Sequence, residues 1–448
     1  MAIGPINRRQ FLKATGTALG AAVPLILPTS RAFGANDRIV IGLMGCGGRG
    51  DFLAEFLAPR PDCRIAYVSD ADSRRMGPVA DKIARISGTA PRQLQDFRRI
   101  LDIGHVDALI SATPDHWHAL ATIWACQAGK DVYVEKPTSH NIWESRQMVR
   151  AARKYGRIVQ VGAQNRSAPE VLAGVEYLRS GKLGTVHFVR VLNMKQRDPI
   201  GKKPDEPVPQ GVDYDLWCGP APMRPFNPNR FHYSWHWFWD FSGGDIINDG
   251  VHQIDIARWL IDKPYPRAVS CTGGKYAYDD DQETPDTQVA HWEYDDMTLS
   301  FNLTLWTPYM QKTAWEVRDL DQFPDWRFCA TRIEVYGTKG MMMMGRHGEG
   351  WQVYGADGKI IDSHFGRHPH GPHLEDFFAR IRDRKTPNGD IEELHRSTFL
   401  CQAANIAYRV GGRRLEIDTD RECFIGADDA NALVKRRGRS PFEVPERV

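Results

Sequence analysis

Short β-branched apolar runs alternate with amphipathic stretches over the first part of the chain. Residues 38–44, 64–70, 108–113, 131–134 and 158–162 are such runs, and they predict buried parallel strands. Between them the apolar spacing predicts helices starting at Asp51, over 116–128 and over 142–154. Strand and helix in strict turn over 36–163 specify a doubly wound parallel sheet. The pattern then changes. Strand-like runs at 186–192, 288–292, 298–305 and 332–336 have no regular helices between them. They predict a second α/β domain over 164–448 with a mixed, largely antiparallel open sheet. Further helices are expected over 251–260, 373–383 and 395–409, and the proline-rich polar stretch 198–229 reads as a long irregular excursion. Apart from Met341–Met344 no low-complexity tract interrupts the pattern.

The first 35 residues stand outside it. Arg8 and Arg9 precede Phe11-Leu12-Lys13 and a mild apolar run over 14–28, the arrangement of a twin-arginine export signal. The run is too short to span a bilayer, and small residues over 30–35 suit cleavage. The expected product is periplasmic or otherwise exported, with no stable membrane insertion after cleavage. With 58 basic against 56 acidic side chains, the chain lacks the electrostatic footprint of a nucleic-acid binder. Its eight cysteines are scattered without metal-type spacing, so no metal site is expected.

The chemistry begins where the first strand ends. Gly45, Cys46, Gly47, Gly48, Arg49 and Gly50 form a G-x-G-x-x-G turn leading into a helix, and Asp70 ends the next strand. The first glycine allows the tight turn, the second admits a pyrophosphate, and the third lets helix and strand pack closely. Asp70 can accept hydrogen bonds from ribose hydroxyls, which favours NAD. Ser73, Arg74 and Arg75 just after it leave NADP open as the alternative.

Two later motifs, Thr113-Pro114-Asp115-His116-Trp117-His118 and Glu135-Lys136-Pro137, together with Gly181–Gly184 and the segment 243–255, resemble the Gfo/Idh/MocA oxidoreductases. The resemblance implies a Rossmann domain followed by a domain whose open sheet often mediates homo-oligomers, here a dimer or tetramer. It implies that Lys136 assists proton transfer from a sugar hydroxyl, with His252 as its hydrogen-bonding or proton-transferring companion. Thr113, Pro114, His118, Glu135 and Gln164 then join the glycine turn and Asp70 at the cofactor. Arg166, Asn248, Asp249, Trp235 and His236 are the expected substrate contacts. The family commonly has an aspartate four residues before the histidine, where this chain has Asn248. An amide cannot take a proton, so proton transfer would fall on Lys136 and His252, or on Asp249.

The expected activity is hydride transfer between NAD and a secondary hydroxyl of a sugar, glycoside or cyclitol. Export removes the cofactor pool, so the cofactor would stay bound and be recycled internally. One alternative is a glycosidase or lyase route through transient oxidation, elimination and re-reduction. Another is a non-catalytic sugar-binding protein.

Overall fold

The computed structural model describes residues 38–315 and 318–448. The twin-arginine segment and its cleavage region lie outside the described residues. The first sheet is parallel and six-stranded: β1 (Ile39–Met44), β2 (Cys63–Ser69), β3 (Arg92–Gln93), β4 (Ala108–Ser111), β5 (Asp131–Val134) and β6 (Val159–Val161). Their order is β3-β2-β1-β4-β5-β6. Chain direction across the sheet reverses between β1 and β4, and that crevice at the strand ends is where α/β sheets bind ligands. Ile41, Leu43, Leu109 and Ile110 are fully buried because helices cover both faces.

The second sheet has ten strands: β7 (Val186–Asn193), β8 (Ala268–Gly274), β9 (Thr287–Glu293), β10 (Thr298–Thr304), β11 (Arg332–Gly337), β12 (Gly340–Gly345), β13 (Trp351–Tyr354), β14 (Ile360–His364), β15 (Leu415–Asp418) and β16 (Cys423–Phe424). The order is β14-β13-β12-β11-β7-β10-β9-β8-β15-β16. β7 runs parallel to β10, and the other pairings are antiparallel. One face, carrying Val189, Val191, Phe301, Ile333 and Met344, packs in one core with Ile254 of the helix Val251–Ile261 and Phe399 of the helix Ile391–Arg409. Burying a side chain such as Phe301 contributes about 1.5–3 kcal/mol. The other face presents Phe188, Arg190, Glu334 and Tyr336, with the Phe188 and Tyr336 rings stacked at 5.4 Å. The methionine run is β12, with Met342 and Met344 buried and Met341 and Met343 partly exposed.

Packing does not respect a division of the chain at residue 163. The helix His370–Asp383 places Leu374, Phe377 and Phe378 in the core of the first sheet beside Ile41 and Tyr133. Val161 donates its N–H to the Gly389 carbonyl at 2.8 Å. At the far end of the chain, Phe442 meets Trp117 edge-on at 5.5 Å, and Arg436 donates to Glu144 and to the His116 carbonyl. The excursion 198–229 forms a strap. Gly211 accepts from the Ser73 and Gln95 side chains, and Asp213 donates its N–H to the Ala71 carbonyl. Farther on, Trp117 Nε1 and His116 Nε2 lie 3.0 and 2.8 Å from the Leu216 and Trp217 carbonyls.

Candidate active site

The turn after β1 and the loops after β4, β5 and β6 open at one edge of the first sheet, into a cleft of about 760 Å³. That volume falls in the range of small-molecule and cofactor sites. At one end stand Gly45, Gly47 and Gly48. Gly45 has φ +91°, a backbone state only glycine adopts without strain, and a Cβ there would meet the Ala112 carbonyl oxygen at 2.6 Å. A Cβ on Gly50 would lie 1.8 Å from the Gly45 carbonyl oxygen, so this glycine serves helix packing and does not line the cleft. A Cβ on Gly48 would meet nothing, and at Gly47 only the end of the Arg75 side chain. The backbone there is open to a close-lying group, and the helix Gly48–Leu57 begins at it, as a pyrophosphate requires. The turn and its neighbours therefore fit a dinucleotide.

Asp70 accepts the Cys46 N–H at 2.7 Å and the Asp72 N–H at 2.9 Å, which hold its carboxylate at the cleft wall. Of the three residues able to cradle a ribose phosphate, only Arg75 lines the cleft. Ser73 is bonded to Gly211, and Arg74 is paired with Asp72. Cys46 contributes its backbone, since its thiol is buried against the Ser69 carbonyl. Arg49 pairs with Glu135 at 2.7 Å, and both line the cleft.

Lys136 sits at the middle. Its Nζ donates to the Asn248 carbonyl at 2.6 Å and to Asn248 Oδ1 at 3.0 Å. Burial pushes the ammonium down to about 8, although Asp115 and Glu135 pull the other way. Asn248 Nδ2 donates to Asp245. Burial alone would raise Asp245, but Arg197 and Lys195 outweigh it and hold the carboxyl well below its ordinary range. A π-turn over Ile246–Gly250 leads into the helix Val251–Ile261, so Asn248 and His252 both reach the cleft. His252 is held well below its usual range, first by burial and then by the positive charge of Arg346 and Lys136. It is a neutral imidazole, and its Nδ1 has no hydrogen-bond partner among the described residues. Trp235 and His236 line the cleft with their rings stacked at 3.6 Å. Gln164 lines it too and donates to the Tyr133 hydroxyl at 3.1 Å.

Three expectations change. Arg166 is no substrate contact: it is buried, bonds both oxygens of Asp255, and lies away from the cleft. His118 does not touch the cofactor space. Its ring nitrogens sit 2.7 and 2.9 Å from the Pro137 and Thr113 carbonyls, so it ties the two motif loops together. Asp249 reaches the cleft but cannot replace the missing aspartate as a base, because Lys195, Arg197 and Arg346 all pair with it. Of the four histidines over 364–373, His368 and His370 line the cleft. His373 is buried against Val161 and Ser167, and His364 is exposed on β14. No group of three or more potential ligands for a metal ion occurs among the described residues.

Sequence reasoning missed Asp115, Asn165, Lys312, Trp315, Arg318, Arg346 and His347, all of which line the cleft. Asp115 lay inside a motif already noticed. Burial pushes its carboxyl up to about 7, while Lys136 nearby and the Ser242 hydroxyl at 2.5 Å favour the charged form. The others come from loops without periodic signal.

Comparison with known proteins agrees with this architecture. Residues 39–163 match the model of the oxidoreductase family's NAD-binding Rossmann fold, and residues 196–298 and 337–444 match its C-terminal alpha/beta domain. The uncharacterized oxidoreductase YrbE of Bacillus subtilis is 24% identical over 309 residues, which is 68% of this chain and 73% of that protein. Inositol 2-dehydrogenase of Rubrobacter xylanophilus is 28% identical over 232 residues, 51% of this chain and 54% of that protein. The chain thus spans about half the length of that dehydrogenase. The WlbA dehydrogenase of Bordetella pertussis, solved with NADH and UDP-GlcNAcA, superposes with a TM-score of 0.63 at 22% identity over 86% of this chain and 100% of its own. Two family models matched in order, a glycine turn open for a pyrophosphate and a half-buried Lys136 in the same cleft place this chain in the Gfo/Idh/MocA oxidoreductase family, with an NAD-binding Rossmann domain.

Proposed function

We propose that this chain is an NAD-dependent oxidoreductase acting on a secondary hydroxyl of a sugar, glycoside or cyclitol. It is exported by the twin-arginine route, works as a homo-oligomer through the open face of its second sheet, and keeps and recycles its cofactor. The observation that carries the reading is Lys136: a half-buried lysine held down to about 8, in the cleft that holds the glycine turn. The stacked rings of Trp235 and His236 in the cleft suit a sugar ring. The strap supports retention of the cofactor, since Leu216 and Trp217 close the cleft while Gly211 and Asp213 fasten to the nucleotide domain.

A nicotinamide bound in the cleft supplies the hydride acceptor. Lys136 takes the hydroxyl proton when its amine is neutral. Both of its acceptors on Asn248 are uncharged, so they aim Nζ without holding it as an ammonium. Neutral His252 positions a substrate hydroxyl by hydrogen bonding. Because a lysine is deprotonated above its pKa, the rate of alcohol oxidation rises as pH passes about 8.

The test is Lys136→Ala. Turnover of any oxidised sugar is expected to fall about 10²–10⁴-fold, while mass spectrometry still finds NAD with the purified protein. Unchanged turnover across a sugar panel would remove Lys136 from the mechanism. Aryl glycosides incubated without added NAD probe the redox-neutral route. Multiple-turnover aryl release would assign elimination and re-reduction, whereas bulk NADH formed only once NAD is added would assign net dehydrogenation.

A further inference from the structure

The substrate side of the cleft holds more positive charge than its carboxylates balance. Beyond residue 164, the described residues lining the cleft include Lys312 and Arg346, and Asp249 is the one carboxylate among them. Asp249 is already spent: Arg346 bonds it at 2.7 Å, Arg197 at 3.0 Å, and Lys195 pairs with it as well. Behind it, Asp245 bonds Arg197, Asn193 and Asn248, and Glu349 accepts the His347 N–H. Lys312 makes no ion pair among the described residues. It lines the cleft while staying exposed to solvent. Partial desolvation, then Arg346, Arg318 and Arg197 nearby, hold its ammonium down to about 8, although Glu349 pulls the other way. Cations crowded in this way are relieved by an anion that enters with the substrate. Trp235, stacked on His236, lines the cleft and offers a ring face to a sugar.

We infer that the substrate is an acidic sugar, one whose carboxylate, phosphate ester or sulfate ester is held by Lys312 and Arg346. The inference rests on the reading of this cleft as a sugar site and names the class of sugar. Hydride transfer is tested separately by turnover, so the two can fail independently.

The experiment is calorimetric titration of the NAD-loaded protein with glucose, glucuronate, glucose 6-phosphate and glucose 6-sulfate. The three acids distinguish the source of the charge. At least one acid is expected to bind about tenfold tighter than glucose, with a preference that shrinks as salt is raised. Lys312→Gln is expected to reduce that preference to within about twofold. Equal binding of glucose and all three acids overturns the inference, as does an acid preference that survives Lys312→Gln or no measurable binding of any of the four. An acid that binds in the expected way without being oxidised supports the charge assignment and instead counts against the proposed hydride transfer.

Discussion

The two ends of the cleft are built on different principles. The dinucleotide end is a matter of backbone: Gly45, Gly47 and Gly50 are contiguous in sequence, and what matters is the absence of side-chain atoms. The substrate end is a matter of charge. Lys136, Lys195, Arg197, Asn248, Asp249 and Arg346 come from four separate segments and work only as a balanced set. The first end tolerates no added volume in places, and the second tolerates no removed charge. Replacements at the two ends are therefore expected to fail in different ways, and four of them test this.

The largest effect is expected from Asp249→Asn. It removes the carboxylate shared by buried Lys195 and by largely buried Arg197 and Arg346, of which Arg197 keeps Asp245, and should cost about 3 kcal/mol in urea unfolding. A loss below about 1 kcal/mol would mean that the cluster is not a balanced charge set. Gly50→Ala comes next. Its methyl group would be driven into the Gly45 carbonyl, with an expected loss of about 3 kcal/mol together with the bound cofactor. Asn248→Asp sharpens the contrast from the other side. A carboxylate 3.0 Å from Lys136 stabilises the ammonium, so the rising limb of the rate profile should move up by about one to three pH units. A limb that stays near 8, or moves down, contradicts the role given to Asn248. The smallest change in stability is expected from Gly47→Ala, where the new methyl meets only a movable guanidinium. Unfolding should shift by less than about 0.5 kcal/mol while NAD content drops sharply. Retained NAD would show that the turn does not approach a pyrophosphate at that residue.

The same contrast explains what could be read from the sequence. The strands β1, β2, β4, β5 and β6 and the helix Ile142–Lys154 were legible because their apolar runs end at turn residues. β12 was not, because four identical methionines hide the alternation of buried and exposed faces that defines a strand. The glycine turn, Lys136, Asn248 and His252 announced themselves as contiguous motifs. Arg166 misled because its partner Asp255 lies 89 positions away, on a helix whose packing no local pattern reveals. Lys312 and Arg346 went unseen for a related reason. Single cations in irregular segments carry no periodicity, and their meaning comes from which carboxylates are already occupied.

Phe442 has a bearing on biogenesis. It fills the core of the nucleotide-binding domain, roughly 280 residues after that domain's last strand has left the ribosome. At bacterial and eukaryotic synthesis rates of about 5–20 residues per second, the first sheet waits between about 14 and 56 seconds for a piece of its own interior. During that time the face around Trp117 is open to water and to other chains. A nascent chain of this kind matures as one unit at the end of translation, when the core beneath the cofactor cleft is completed.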